Sequence, residues 1–166
     1  AGTLRYTLDG RSPVGPTSID YQGPITIDRT TVMRVGVVDG GDLVLDAGAR
    51  TWLFADQIPD QQPPSDWPTA WWTAAAGGPY PADYGMDPDV VDAPESAGYF
   101  PDVFLALPTV SLVFDPDDFF DPGRGIHENS TEGGSLWERP VFVEVLDPEG
   151  GPGVSASAGF RAHGGA

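Results

Sequence analysis

Four aspartates crowd one short stretch of the chain, at Asp115, Asp117, Asp118 and Asp121. Carboxylate oxygens are the hard ligands that Ca²⁺ prefers, so this spacing predicts a candidate cation site. The stretch lacks the central glycine and the terminal bidentate glutamate of an EF-hand loop. Because Pro116 follows Asp115, the residues also favour an N-capped helical turn whose remaining acids are solvated. Both interpretations stay open at this point.

The two histidines, His127 and His163, carry the side chains that titrate nearest to neutral pH. His163 follows a predicted strand and comes directly before Gly164 and Gly165. Backbone N–H groups in such a context can approach a phosphate closely. An ordinary strand end followed by a turn is the alternative interpretation.

Three tryptophans, Trp67, Trp71 and Trp72, lie within six positions of one another. Aromatic faces pack on pyranose rings, so these residues predict a candidate carbohydrate platform. The surrounding prolines favour instead an aromatic cluster that packs between two modules. No serine, histidine and acid occur at a spacing that predicts a catalytic triad, and we therefore predict no catalytic residues.

The composition excludes several functional classes. The chain has 166 residues, no Cys and 8 basic residues, all of them Arg. It therefore has no disulfide framework, no thiolate metal site and no lysine-based chemistry. A formal net charge of −17 disfavours nucleic acid as a partner, since an acidic surface repels phosphate. No run of about 18 apolar residues is present, so no membrane span is predicted.

The elements that must position these residues are short strands. Gly (22) and Pro (18) supply about a quarter of the chain and lie between apolar runs, which is typical of a loop-rich β protein. In residues 1–54, alternation predicts four strands, which are 4–8, 24–28, 31–38 and 50–54. Residues 55–104 contain nine prolines and many aromatics, which predicts an ordered connector without a long helix or a central strand. In residues 105–166, strands return at 108–114, 140–146 and 154–163.

Three ordered motifs near the N-terminus resemble the chitobiase/β-hexosaminidase C-terminal type of module. They are LRYTLDGRSP at 4–13, YQGPI at 21–25 and TTVMRV at 30–35. Members of that family are small fibronectin type III-like sandwiches attached to secreted bacterial proteins. Such modules normally have a strand before Leu4, where only three residues stand here, so we expect residues 1–54 to form a sandwich that lacks its first strand.

Four later motifs resemble bacterial surface proteins of the spore coat protein H (CotH) kinase family. They are MDPDVV at 86–91, LPTVSLV at 107–113, WERPVFVE at 137–144 and AGFRAHGGA at 158–166. The resemblance implies that residues 105–166 are the first strands of a truncated, α+β kinase-like N-terminal lobe. It also implies a place on the nucleotide-phosphate side for four residues, namely Arg161, His163, Gly164 and Gly165.

The two resemblances together imply a mainly β, non-catalytic segment of a secreted or cell-surface protein, with a signal peptide upstream. Its expected role is that of a spacer and docking module for downstream domains of the same polypeptide. ATP and Mg²⁺ are implied for the downstream domain alone, and no cofactor is expected in this chain. Two alternatives remain: a carbohydrate-binding accessory module that recognises cell-surface polysaccharide, and a parent protein that is an atypical protein kinase.

Overall fold

The computed structural model describes residues 1–73, 77–96, 98–100 and 102–163 of the chain. Within them the fold is mainly β, with nine strands in three antiparallel sheets and a few short helices. The strands are β1 Thr3–Thr7, β2 Ile19–Asp20, β3 Thr31–Asp39, β4 Asp42–Trp52, β5 Ala70–Thr73, β6 Gly78–Pro81, β7 Thr109–Val113, β8 Arg139–Leu146 and β9 Val154–Phe160. The helices are α1 Pro88–Val91, α2 Asp102–Leu105 and α3 Pro116–Phe120, and 3-10 turns cover Ala55–Gln57 and Ser135–Trp137.

The first sheet has the strand order β2-β1-β3-β4. A tight turn at Gly40 and Gly41, both with positive φ, joins β3 to β4. Two register shifts interrupt the β3–β4 ladder, one of them between Val35 and Gly36. A Cβ at Gly36 would stand 2.8 Å from the carbonyl oxygen of Leu45, so this close approach of the two backbones requires glycine.

Two strand predictions in this part of the chain were wrong. One predicted strand does not form, and the other begins earlier than predicted. The segment Pro24–Asp28 forms no strand, although Ile25 and Ile27 are half-buried and alternate with exposed neighbours as predicted. Apolar alternation reports which face is covered, whereas a strand also requires a hydrogen-bonded neighbour. β4 begins at Asp42 rather than near Arg50, because the tight turn pairs it with β3 despite its weak β-formers.

In the described part of the connector, each strand and α-helix has four residues, and the 3-10 turn Ala55–Gln57 has three. β5 and β6 pair as an isolated hairpin, in which Pro79 and Pro81 are tolerated because a two-stranded sheet has free edges. The Asp87 side chain caps α1 by accepting a hydrogen bond of 2.9 Å from the Asp89 N–H. α2 ends at Leu105, across the expected boundary between the connector and the third segment. None of the described helices is both long and apolar enough to cross a membrane.

The third sheet has the order β7-β8-β9, with one continuous register across each pair. α3 follows β7 directly and is capped by Asp115, as the proline after that aspartate predicted. The first and third sheets meet where β4 contacts β8. Among the residues that the structure describes, the buried apolar side chains are few, and they are Pro13, Val38, Ala55, Val113, Ile126 and Val141. Polar contacts between the first and third sheets therefore contribute an unusually large share of the packing in this fold.

Candidate functional site

Trp67 and Trp71 lie in an aromatic cluster with three residues that follow them in the chain, which are Tyr84, Phe120 and His127. The Trp67 ring centroid is 5.2 Å from that of Tyr84 and 5.4 Å from that of Phe120. The Trp71 ring is stacked on Phe120 at 5.8 Å and approaches the His127 ring to 4.3 Å. The connector is thus packed against α3, and the side chain of Trp72 lies outside the described part.

This packing uses part of the ring surface of Trp67 and Trp71, and both side chains are half-buried. Tyr84 completes the cluster, because its hydroxyl donates a hydrogen bond of 2.8 Å to the Pro68 carbonyl oxygen. Burial raises the pKa of the Tyr84 hydroxyl, which keeps it protonated as a donor. Through these contacts, Trp67 and Trp71 pack the connector against the third segment.

The four clustered aspartates do not converge on a common point. The Asp115 carboxylate accepts from the Asp117 N–H at 3.1 Å, and the Asp121 carboxylate accepts from the N–H groups of Gly123 and Arg124 at 2.8 and 3.0 Å. Among the described residues, no group of three or more His, Asp or Glu side chains could hold a metal ion. The carboxylates of Asp115 and Asp121 therefore accept hydrogen bonds from nearby backbone N–H groups, as aspartates in helix caps and turns commonly do.

Asp118 differs from the other three because it faces the interior of the molecule and is only 9% exposed. Burial raises the pKa of its carboxyl group, while the nearby Arg124 guanidinium acts in the opposite direction. An Nη atom of Arg124 lies 3.6 Å from an Asp118 carboxylate oxygen. Asp118 therefore lies in a poorly hydrated place, where Arg124 and, more weakly, Arg139 and Arg34 oppose the rise in its pKa.

Asp118 lines a cleft between the first and third sheets, which we call the inter-sheet cleft. It consists of two cavities, of about 220 and 360 Å³, that share the residues Asp46, Phe142 and Ser157. The larger cavity is also lined by Ser12, Arg34, Asp115, Asp118 and Arg124. The smaller one is also lined by Gly48, Glu144 and Ser155. Carboxylates, guanidinium groups and hydroxyls make up about half of this lining, and the rest is glycine and apolar residues, among them Val113, Val141 and Val143.

Glu144 is the most buried charged side chain of the cleft, at 1% exposure. Its Oε2 accepts a hydrogen bond of 2.6 Å from the Thr51 N–H, and the Thr51 hydroxyl contacts the Ser111 hydroxyl at 2.7 Å. Its Oε1 lies 3.6 Å from Nη1 of Arg50 and has no hydrogen-bond partner in the structure. Because Thr51 belongs to β4 and Glu144 to β8, this carboxylate joins the two sheets directly.

A second ion pair lies against the face of β8 that carries Glu144. Arg34 of β3 approaches Asp46 of β4 to 2.6 Å, and its guanidinium carbon lies 5.2 Å above the Phe142 ring. The guanidinium thus contacts a carboxylate and an aromatic face at once, an arrangement available to Arg but not matched by Lys. Phe142 in turn packs near Gly48, where a Cβ would be 3.8 Å from the ring.

Sequence reasoning had not identified Glu144, Thr51, Arg34 or Asp46 as site residues. One signal was present, since Glu144 interrupts an otherwise apolar strand and a charge in such a position needs a buried partner. The partner, however, is a backbone N–H 93 positions away, which no local pattern marks. The phosphate-side candidates lie elsewhere: Arg161 and His163 are exposed beyond the end of β9, and Gly164 and Gly165 lie outside the described residues.

Comparison with known families supports the identification of the first segment at a coarse level. A family model described as Fn3 associated matches residues 1–44, which contain β1, β2, β3 and the start of β4. This match supports a fibronectin-III-associated module at the N-terminal end of the chain. No curated protein and no solved structure matches the chain.

Proposed function

We propose that this chain is a non-catalytic spacer and docking segment of a secreted or cell-surface protein, and that it holds a downstream domain in a defined position. The observation that carries the proposal is the buried contact of Thr51 with Glu144 and Ser111, which ties the first sheet to the third sheet. A spacer transmits position only if its parts are rigidly connected, and buried hydrogen-bonded charges specify one geometry.

Three contacts link the three segments pairwise. Thr51 and Glu144 join the first segment to the third, at 2.6 Å. Arg11, in the turn after β1, approaches Asp66 of the connector to 2.7 Å. Trp67 of the connector packs on Phe120 of the third segment. Each of these contacts restrains the orientation of one segment relative to another, and the buried Thr51–Glu144 contact is the one that joins the first and third segments directly.

The downstream domain that we propose is a kinase-like domain of the CotH type, of which residues 105–166 form the first strands. The three-stranded sheet β7-β8-β9 supports this proposal only as a β-rich beginning. With no Lys in the chain, the residue that pairs with nucleotide phosphates in phosphoryl transfer would come from the downstream domain. ATP and Mg²⁺ would accordingly bind there, and the parent protein as a whole would be the kinase.

Carbohydrate binding is the weaker candidate. The half-buried Trp67 and Trp71 rings already contact Tyr84, Phe120 and His127, so part of the aromatic surface that a sugar would use packs on the protein's own side chains. We therefore keep the spacer role as the proposed function.

Residual dipolar couplings of residues 1–166 would test the spacer role. Couplings from β3 and from β8 should fit a single alignment tensor in the wild-type protein. Glu144→Ala should leave both sheets folded yet require two tensors, whereas Glu149→Ala, an exposed acid of the β8–β9 turn, should not. Two independent tensors in the wild-type protein would overturn the proposal, since such a linker could not position anything.

A further inference from the structure

The larger cavity of the inter-sheet cleft contains an arginine and an aspartate that lie close together without a hydrogen bond between them. Nη2 of Arg124 is 3.6 Å from Oδ1 of Asp118, which is longer than a hydrogen bond between charged groups. Both residues line the cavity, whose volume is about 360 Å³. This volume lies at the lower end of the range of about 300–1,000 Å³ that is typical of small-molecule sites.

Asp118 is an acceptor that needs a donor. The residue is 9% exposed, and among the described residues no N–H or O–H group donates a hydrogen bond to its carboxylate. Arg124, Arg139 and Arg34 compensate its charge in part, but none of the three supplies the missing hydrogen bond. Because a buried polar group without a hydrogen-bond partner is costly, a ligand that brings a donor to Asp118 gains that energy on binding.

The Arg124 guanidinium is the complementary donor. Its side chain is 52% exposed and lies 3.8 Å from Asp117 and 3.6 Å from Asp118, so neither acid accepts a hydrogen bond from it. Arg34, which lines the same cavity, is by contrast paired with Asp46 at 2.6 Å. The planar N–H groups of Arg124 are therefore open to a carboxylate, which arginine can bind through two parallel hydrogen bonds.

An aliphatic wall lies beside this arginine and aspartate. Val113, Pro140 and Val141 line the same cavity, and the two valines are almost completely buried. The hydroxyl-bearing residues Ser12 and Ser157 complete the polar side of the lining. An alkyl group of a ligand would be stabilised against the aliphatic wall, because it leaves water there.

We propose that this cavity binds a free α-amino acid with an aliphatic side chain. The ligand's carboxylate pairs with Arg124, its ammonium group donates to Asp118, and its side chain packs on the aliphatic wall. Both charged groups of an α-amino acid are attached to one carbon atom, so they can reach two side chains whose nearest atoms are 3.6 Å apart. A ligand with only one charge would satisfy one of these side chains and be repelled by the other. The inference goes beyond the spacer role and does not depend on it.

Isothermal titration calorimetry of L-leucine into the wild-type protein tests the inference, and we expect saturable one-to-one binding. N-acetylleucine lacks the ammonium group and leucine amide lacks the carboxylate, so each should bind about tenfold more weakly or worse. Glucose, a neutral ring with many hydroxyl groups, should bind more weakly than leucine. The inference is overturned if leucine shows no saturable binding, if the two analogues bind as tightly as leucine, or if glucose binds more tightly.

The variants Asp118→Asn and Arg124→Gln each remove one of the two charges. Each should weaken leucine binding about tenfold or more, and Arg124→Gln should leave the binding of leucine amide unchanged, because that analogue has no carboxylate. The matched controls are Asp28→Asn and Arg29→Gln, from an ion pair outside the cavity whose side chains are 73% and 77% exposed. Both controls should change leucine binding by less than about twofold.

Unchanged leucine binding by a folded Asp118→Asn variant would show that the ligand's ammonium group does not meet this carboxylate, and it would overturn the inference. If either cavity variant fails to fold, the comparison of leucine with its two analogues still decides the question on the wild-type protein.

Discussion

The Thr51 backbone N–H donates a 2.6 Å hydrogen bond to Oε2 of Glu144, a residue 93 positions later in the chain. Thr51 belongs to the edge strand of the first sheet, so this N–H would otherwise be an unpaired edge donor. The carboxylate satisfies it, and Arg50, the residue before Thr51, places its guanidinium 3.6 Å from the other carboxylate oxygen. The buried Glu144 carboxylate thus satisfies an edge donor of the first sheet and fixes the position of the third sheet beside it.

Glu144→Ala should destabilise the protein. It removes the acceptor of the buried Thr51 N–H and leaves a void between β4 and β8, and an unsatisfied buried donor costs about 1–3 kcal/mol. Glu144→Gln should cost less, because an amide oxygen still accepts from Thr51. Urea unfolding would measure the free energies, with the exposed Glu149→Ala expected to change stability by less than about 0.5 kcal/mol.

Thr51→Val and Ser111→Ala should show coupled effects. The hydroxyl contact between them is 2.7 Å long, and a typical buried hydrogen bond contributes about 1 kcal/mol to stability. Each single variant should lose about that amount, and the double variant should lose clearly less than the sum. A double-mutant cycle by urea unfolding tests this, and strict additivity would show that the two hydroxyls do not interact.

Asp118 should make stability fall as pH rises through its folded-state pKa. Burial raises that pKa above the ordinary value of about 3.8, so the folded protein binds the proton more tightly than the unfolded chain does. The favourable contribution is complete below the ordinary pKa and is lost above the raised one. Asp118→Asn should remove this pH dependence and gain in stability relative to wild type as pH rises.

Unfolding free energies at a series of pH values would measure the Asp118 effect. The matched control is Asp117→Asn, in the same helix but with a side chain that is 73% exposed. A wild-type pH profile that Asp118→Asn leaves unchanged would contradict the assignment.

Phe120→Ala should loosen the connector from the third segment. Phe120 packs on both Trp67 and Trp71, and truncation of a buried phenylalanine costs about 3–5 kcal/mol. Because Phe120 is half-buried, the loss should fall at the lower end of that range. Tryptophan emission should shift to longer wavelength as the rings become hydrated. Tyr99→Ala, at a position 66% exposed, should leave the emission maximum unchanged.

Added salt should raise the melting temperature. A net charge of −17 destabilises the compact state by self-repulsion, and a Debye length of about 10 Å at 0.1 M screens it. Thermal melts from low to moderate NaCl would measure the change. A flat or falling curve would show that paired charges, such as Arg34 with Asp46, outweigh the repulsion.

Local sequence patterns determined some of the strands and caps of this protein, but they did not indicate β2, β5 or β6. Thr31–Asp39 alternates with β-branched residues and ends at a turn that only glycines fit well, and Asp115 with Pro116 starts a helix for purely local reasons. Such features depend on backbone sterics and nearest neighbours, so they can be predicted from short stretches. The Fn3-associated motifs in residues 1–44 are local in the same sense.

The tertiary structure alone decided which polar residues meet. The apolar alternation of Ile25 and Ile27 could not reveal that no strand pairs with them, and the apolar strand around Glu144 could not reveal that Thr51 supplies its partner. Likewise, the Asp115–Asp121 group looks uniform along the chain, yet only Asp115 and Asp118 line the inter-sheet cleft, and of the four only Asp118 is buried. Contacts between residues that are far apart in the sequence depend on how the sheets pack. A polar group that loses its water on burial must find a partner that is buried with it, and this requirement selects the contact.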